Sequence, residues 1–523
     1  MTSKKAGFDV IVVGGGHNGL VCAHNLADAG RKVLLIEARQ TIGGAASTAQ
    51  ITEGFSVSNC AQWLFQLNPK VLKRMQLGKY GLRMAATDLH TIALAEDGNH
   101  LTLSPTGISG AGLTEADILA YQHFDKQMLK FAKLLAGAFE RRAPKLLDGN
   151  FTDRWTLLKL GLGIKLLGKQ DMSDLLRLGL INIYDVMEEN FDHPLLKAAI
   201  SMDAILGTHM GPRSPNTVFT YLYRRLGSIY GYSGPSLVRG GMGALGTAMA
   251  ESAKAEGVVI RLGSAVERIN IGTKGVTGVT LTSGEVIDAS TVVSNADPKT
   301  TFGSLVGYSQ VETGVARRVH NIRMQGNAAK LHLALDGLPK FKGLTEEQVG
   351  QRLLIAPSMD YIERAYNACK YGEYSEAPAI DISIPSLHDA SLVPTGRHVL
   401  SATVQFAPYQ LSGGWAAAKD TFKDLVIARI ADYAPNLRSK ILHSEMLTPE
   451  DIETQFFCSG GHWHHGEISL DQVMMMRPFP GASQYRTSID GLFLCGAGTH
   501  PGGGIMGLSG ANAAREIIKG GVK

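Results

Sequence analysis

The chain has 523 residues, more than one hydrophobic core usually serves at about 100–200 residues per domain, so two or three domains are expected. Its 51 Lys and Arg nearly balance 47 Asp and Glu, which excludes a dedicated nucleic-acid binder with a clustered basic excess. A hydrophobic share of 44% excludes a disordered chain, and 61 glycines are about 12% against a usual ~7%, without any collagen period.

Phe8–Val13 is a short β-branched run, the pattern of a parallel strand buried on both faces. Gly14-Gly15-Gly16 ends it. Leu20, Cys22, Ala23 and Leu26 then share one helical face, Gly30 stops that helix, and Val33–Ile36 reads as a second strand. From Glu115 to about Ile229 the chain is rich in Leu, Lys, Met and Ala at helical spacing. Val258–Leu262, Val276–Leu281 and Thr291–Ser294 read as strands. The stretch from 320 to 450 mixes strands at Ala328–Leu335 and His398–Phe406 with a helix over Ala417–Tyr433. Gly491–Cys495 is a last strand, and a helix is expected to begin near Ile505. This order predicts one glycine-rich α/β domain in three pieces, 1–105, 236–304 and 451–523. A discontinuous α+β substrate domain, 106–235 and 305–450, is inserted twice.

Cys22, Cys60, Cys369, Cys458 and Cys495 form no C-x-x-C pair, so neither a disulfide framework nor a paired-cysteine zinc site is expected. The expected compartment is the reducing cytosol. The N-terminus reaches its first strand within about ten residues, too few for a signal peptide, and no apolar run is long enough to span a membrane.

Gly14-x-Gly16-x-x-Gly19 follows a strand and opens a helix. Gly14 permits the tight turn, Gly16 admits backbone to a pyrophosphate, and Gly19 allows close helix–strand packing. Glu37 closes the second strand, where a carboxylate accepts from an adenosine ribose. The loop alone does not choose FAD over NAD. Arg39 and Gly43-Gly44 follow at once, in EARQTIGGAASTA, and leave backbone room along the diphosphate and ribityl side of FAD. RGGMGALG at 239–246 lacks the strand–GxGxxG–strand–acid order, so direct use of NAD is disfavoured.

These motifs resemble those of the flavin amine oxidase and phytoene desaturase families. GLFLCGAGTHPGGGIMGLSGANAA, from Gly491 to Ala514, is similar to the C-terminal flavin motif of the phytoene desaturase-like group. GGGHNGLVCAHNLADAG, HHGEISLDQVMMMRP and CGAGTHPGGGIMG, with RGGMGALGTAMAESAKAEGVVIRLGSAVERI in the middle, resemble a branch that includes the animal mitochondrial pyridine-nucleotide-disulphide-oxidoreductase-domain proteins. The resemblance implies an FAD-binding Rossmann-like domain of the glutathione reductase/amine oxidase type. It implies that Val266, in a V-x-x-I strand, meets the adenine. It also implies that His465 and Glu467 pack near the flavin and cavity. Ala296 and Asp297 follow a strand where the chain passes back toward the diphosphate.

At the C-terminal motif, Gly496 ends a strand and Gly504, Ile505 and Met506 lead into the expected helix. Unpaired N–H groups there are expected to face the flavin edge that becomes negative on reduction. His500 is either an acid/base group or a support for the loop. If His462 to Glu467 were a strand, only His462 and His464 would share a face, so no metal site is expected. Arg154–Lys169 is either an interfacial membrane or partner surface, or a lid helix or dimer contact.

The expected activity is FAD-dependent dehydrogenation or desaturation at a C–H bond of an apolar or amphipathic substrate. Oxygen, a quinone or another carrier would reoxidise the cofactor. A flavin isomerase or saturase, and a regulatory protein with structural FAD, stay open beside it. The inserted segments are expected to enclose an apolar cavity.

Overall fold

The computed structural model describes residues 7–146 and 148–520. The first six residues, which bear on the expectation about a signal peptide, lie outside the described residues.

A five-stranded parallel sheet has the spatial order Val259–Arg261, Val33–Ile36, Val10–Val13, Thr291–Ser294, Leu492–Leu494. Four of its strands are buried along their length because helices or other layers cover both faces, while the edge strand Val259–Arg261 is partly exposed. Val10, Val12, Val33 and Leu35 join one buried cluster with Leu20, Ala23 and Leu26 of the His17–Asp28 helix. Ile11, Val13, Leu34 and Ile36 point the other way, into a cluster with Val279, Val292 and Phe302. Each side chain so buried contributes about 1.5–3 kcal/mol of transfer free energy. The strands come from three distant parts of the chain, as the sequence predicts. An antiparallel meander, Val266–Gly272, Gly275–Leu281 and Val286–Asp288, lies between the third and fourth of these segments in chain order.

The second sheet has eight strands. In spatial order they are Ile441–Leu447, Ala328–Leu335, His398–Gln405, Ala379–Ser383, Arg352–Ile355, Thr91–Ala93, Leu101–Ser104 and Gly107–Gly110. The last three lie before residue 111, so the first domain boundary falls near residue 90 and not at 105. These are short strands with a hairpin's register, and their partner Arg352–Ile355 arrives 261 residues after Thr91, pairing in parallel with Thr91–Ala93. Pairing at that separation leaves no local signature.

The helical insert runs from Glu115–Phe139 through Phe151–Leu166, Lys169–Leu178, Ile183–Asn190 and Pro194–Ile205 to Thr217–Arg224. The Phe151–Leu166 helix passes through Gly161 and Gly163. A Cβ on Gly163 would come 2.6 Å from Leu134 Cδ1, so that glycine lets two helices approach closely. Asn150 and Asp153 form a reciprocal capping box that starts the helix. The helix leaves one apolar stripe uncovered: Phe151, Trp155, Leu158, Leu162 and Leu166 are exposed. No helix among the described residues is long and apolar enough to cross a membrane.

Candidate functional site

Between the two sheets lies an elongated cavity of about 380 Å³. One end is walled by Glu37, Arg39, Ala265 and Val266. The middle is walled by Gly14, Gly16, Gly43, Gly44, Asn295 and Ala296. The inner end is walled by the 60–66 segment, Arg224, Trp463–His465, Ala497, Gly504 and Ile505.

The glycine loop is built as its spacing implies. Gly14 has φ +99°, a left-handed conformation, and a Cβ on Gly19 would lie 2.2 Å from the Gly14 carbonyl. Gly16 caps the His17–Asp28 helix without any side-chain cap, so the first-turn N–H groups stay open toward the cavity. That end carries about half a positive charge and suits an anion. Gly43 pairs with this loop, its N–H donating to the Gly15 carbonyl at 2.9 Å. A Cβ on Gly44 would sit 3.4 Å from Gly16 Cα, so two glycine backbones face each other with no side chain between them. A diphosphate fits this cradle.

Glu37 is buried and accepts from Gly15 N–H at 2.7 Å through Oε2 and from Arg39 N–H at 2.8 Å through Oε1. Each oxygen keeps a further lone pair for a ribose hydroxyl. Arg39 donates to the Gly44 carbonyl at 3.0 Å, and its guanidinium lies 5.0 Å from the Phe456 ring centroid. It braces the second glycine pair. Ala296 lines the cavity. Asp297 turns away, accepting from Thr300 N–H at 3.0 Å and from Ser459 Oγ at 2.8 Å.

The C-terminal motif departs from expectation. The last helix is Leu508–Gly520, three residues later than Ile505. Gly504 at φ +102° and Gly507 at φ +72° are left-handed and hold the preceding residues out of the helix. Gly504 and Ile505 still line the cavity, so backbone, not the helix end, meets a ligand there. Met506 is buried behind them with Tyr223 and Leu508, and its N–H donates to the Gly504 carbonyl at 3.0 Å. Gly19 and Gly496 shape the turns without lining the cavity. A Cβ on Gly496 would lie 2.4 Å from the Asn295 carbonyl.

His500 is buried behind the wall, edge-on to Phe139 with centroids 5.5 Å apart. Burial pulls its pKa down to about 4. It is outside the set of side chains that face the cavity.

The 462–467 segment is a turn, not a strand. Gly466 at φ +123° and His465 at φ +54° forbid the extended alternation. His464 and His465 therefore both line the cavity, and burial holds both imidazoles below their ordinary pKa and neutral. Glu467 faces elsewhere. It accepts from His462 Nε2 at 2.8 Å and from the His209 N–H at 2.9 Å. Arg477 holds the whole turn, donating to the carbonyls of His464, Gly466, Glu467, Gln472 and Ala497.

Sequence reasoning missed a polar cluster behind the inner end. Lys330 Nζ donates to Gln62 Oε1 at 2.5 Å and to Thr403 Oγ1 at 3.1 Å. Trp63 Nε1 donates to Asp381 Oδ1 at 3.0 Å. Arg352 pairs with Asp381 at 2.9 Å and with Asp203 at 2.8 Å. Arg224 approaches Asp203 at 3.7 Å and lines the cavity itself. Burial lowers the Lys330 pKa to about 8. The inner cavity is therefore not purely apolar. The one available signal was charged residues inside apolar strands, as in AAKLHLAL and AIDIS.

Residues 19–518 match the model of the flavin containing amine oxidoreductase family. Pyridine nucleotide-disulfide oxidoreductase domain-containing protein 2 of Rattus norvegicus is 33% identical over 98% of this chain and 94% of that protein. The lycopene-forming phytoene desaturase of a Paracoccus species is 24% identical over 97% of this chain and 96% of that protein. Wild-type putrescine oxidase bound to putrescine has the same fold, with a TM-score of 0.61 at 15% identity over 98% of each chain.

Proposed function

Because the chain belongs to the flavin containing amine oxidoreductase family and is an oxidoreductase with FAD as its cofactor, we propose that it dehydrogenates a C–H bond of an apolar or amphipathic substrate, a CH–CH donor. When bound, FAD supplies the hydride acceptor. The observation that carries the reading is the inner wall. Phe65, Leu206 and Trp463 offer apolar surface beside two neutral imidazoles. The desaturase relative supports the donor class.

The chain's own residues divide the work. The Gly14–Gly19 turn and the open end of the His17 helix hold the diphosphate. Glu37 and Val266 hold the adenosine end. The Gly504–Ile505 backbone and Ala497 bound the inner end. His464 Nε2 accepts from the Trp463 Nε1–H at 3.2 Å, so the neutral ring carries its proton on Nδ1 and His464 is not the base. His465, 3.7 Å from Cys458 Sγ through Nε2 and with Nδ1 unpartnered among the described residues, is the side chain of the wall assigned to take the proton that accompanies hydride loss. Burial keeps His465 neutral near pH 7, as a base must be. The test is anaerobic mixing of purified protein with candidate hydrocarbons and amphipathic acids, followed at the flavin absorbance, with mass analysis for loss of two hydrogens. Turnover of the same compound without any electron acceptor would instead mark an isomerase.

We also propose that the Phe151–Leu166 helix rests on an anionic bilayer. Its exposed stripe, with Phe151 81% and Leu166 76% exposed, is flanked by Arg154 and Lys165 on one side and Lys159 on the other. The only acid of that helix, Asp153, is buried against Arg142 at 3.0 Å. A second copy docked on the same stripe would set these cations against themselves. Lipid phosphate complements them, and an apolar substrate partitions into the same phase.

A further inference from the structure

We propose that Arg224 is the recognition point for a carboxylate on the substrate, so that the substrate is an amphipathic acid with its apolar body at the inner end of the cavity. This rests on the reading of that cavity as the place of substrate dehydrogenation and narrows its substrate class.

Arg224 ends the Thr217–Arg224 helix and stands in the cavity wall, its guanidinium 4.6 Å from the centroid of Phe65. Its Nε and Nη2 are buried and have no hydrogen-bond partner among the described residues. The nearest carboxylate, Asp203, lies 3.7 Å from Nε but is held more closely by Arg352, at 2.8 Å. Asp381, the other carboxylate of the cluster, is also taken by Arg352 and by Trp63. Two carboxylates thus face three cations, Arg224, Arg352 and Lys330. The neighbouring Arg225 has its own partner, Asp125, at 2.5 Å.

One positive charge is left over, and the geometry assigns it. Arg352 is doubly paired. Lys330 can release its proton, and its ammonium is hydrogen-bonded to Gln62 and Thr403. An arginine cannot discharge itself in this way. A buried guanidinium with open N–H groups is costly, and a planar carboxylate matches its donor fork. The diphosphate is not the expected anion here, because its cradle at Gly14, Gly16 and Gly44 belongs to the middle of the cavity. Phe65 lies against Arg224, Gln66 donates to its carbonyl at 3.3 Å, and Leu206 and Trp463 line the same cavity, surface for an aliphatic body.

The experiment titrates the flavin-loaded protein with decanoate, decanol and decylamine, reading flavin absorbance and the fluorescence of Trp63 and Trp463. Decanoate is expected to bind about tenfold or more tightly than decanol, as a charge-assisted contact allows. Arg224→Gln should abolish that preference while leaving decanol binding and FAD content unchanged, and Arg224→Lys should restore part of it. Equal binding of acid and alcohol by the wild type, tighter binding of decylamine, or a preference that survives Arg224→Gln would overturn the proposal. Loss of FAD from both Arg224 variants would assign the residue to the cofactor, overturning the substrate role and sparing the cofactor reading. A wild-type protein that takes up no FAD would instead break the functional reading, while tryptophan fluorescence would still report on decanoate.

Discussion

Arg477 donates twice to the carbonyl of Ala497, from Nε at 3.2 Å and from Nη2 at 2.9 Å. This contact joins the C-terminal glycine loop to the histidine turn. Arg477 is fully buried, its remaining acceptors are backbone carbonyls, and burial lowers its pKa to about 10 without discharging it near neutrality. Arg477→Met leaves those carbonyls unpaired. The expected result is a loss of about 3 kcal/mol or more in urea unfolding and a purified protein with reduced FAD content. Arg477→Lys reaches fewer of the five carbonyls and should fall between. Full FAD content in Arg477→Met would show that the turn holds without it.

The glycines of the loop divide into those the backbone needs and those it does not. Gly19→Ala places a Cβ 2.2 Å from the Gly14 carbonyl and should empty the protein of FAD. Gly16→Val crowds Asn295 Nδ2, 2.9 Å from the added Cβ, and fills the approach to the diphosphate. Gly161→Ala meets nothing within 4 Å in a helix interior. It should leave FAD content unchanged and raise stability by about 0.5–1 kcal/mol. Absorbance of the bound flavin per chain and denaturant midpoints separate the three.

His500 should act through stability, not through turnover. Its folded-state pKa of about 4 lies below its ordinary 6.5, because burial disfavours the charged form. Between those values the unfolded chain binds a proton that the folded chain does not. The contribution is therefore intact above pH 6.5 and is lost as pH falls toward 4. His17, also lowered to about 4 by burial, adds in the same direction. His500→Asn should flatten the fall in stability between pH 6.5 and 4. It should leave single-turnover flavin reduction within a few-fold of wild type, whereas His465→Asn should slow it by about 10²-fold or more. A large rate loss in His500→Asn with normal stability would contradict this assignment.

The uncovered stripe predicts binding to vesicles. The protein should co-sediment with vesicles containing anionic lipid and much less with purely zwitterionic ones, and salt should weaken it. Leu158→Glu with Leu162→Glu should abolish recovery while leaving FAD content and unfolding unchanged, since both side chains are exposed. A concentration-dependent dimer lost in the same variant, with no vesicle binding, would assign the stripe to a second copy.

The sequence alone was enough to identify the nucleotide half of the molecule. Val10–Val13 and Val33–Ile36 are apolar on both faces, so their burial in a parallel sheet is written in consecutive residues. Gly14, Gly16 and Glu37 are equally local, since one turn and one strand end bring them to the same cavity, with Gly19 packed against the turn. Only the tertiary structure decided the other half. Left-handed glycines at 504 and 507 moved the last helix to Leu508. The turn at His465–Gly466 put two adjacent imidazoles on one wall, and His500 went behind it. Arg224, Asp203, Arg352, Asp381 and Lys330 come from separate elements spread over 178 positions of the chain. Their pairing depends on how helices and strands pack, and neither period nor spacing records which of three cations two carboxylates leave without a close partner.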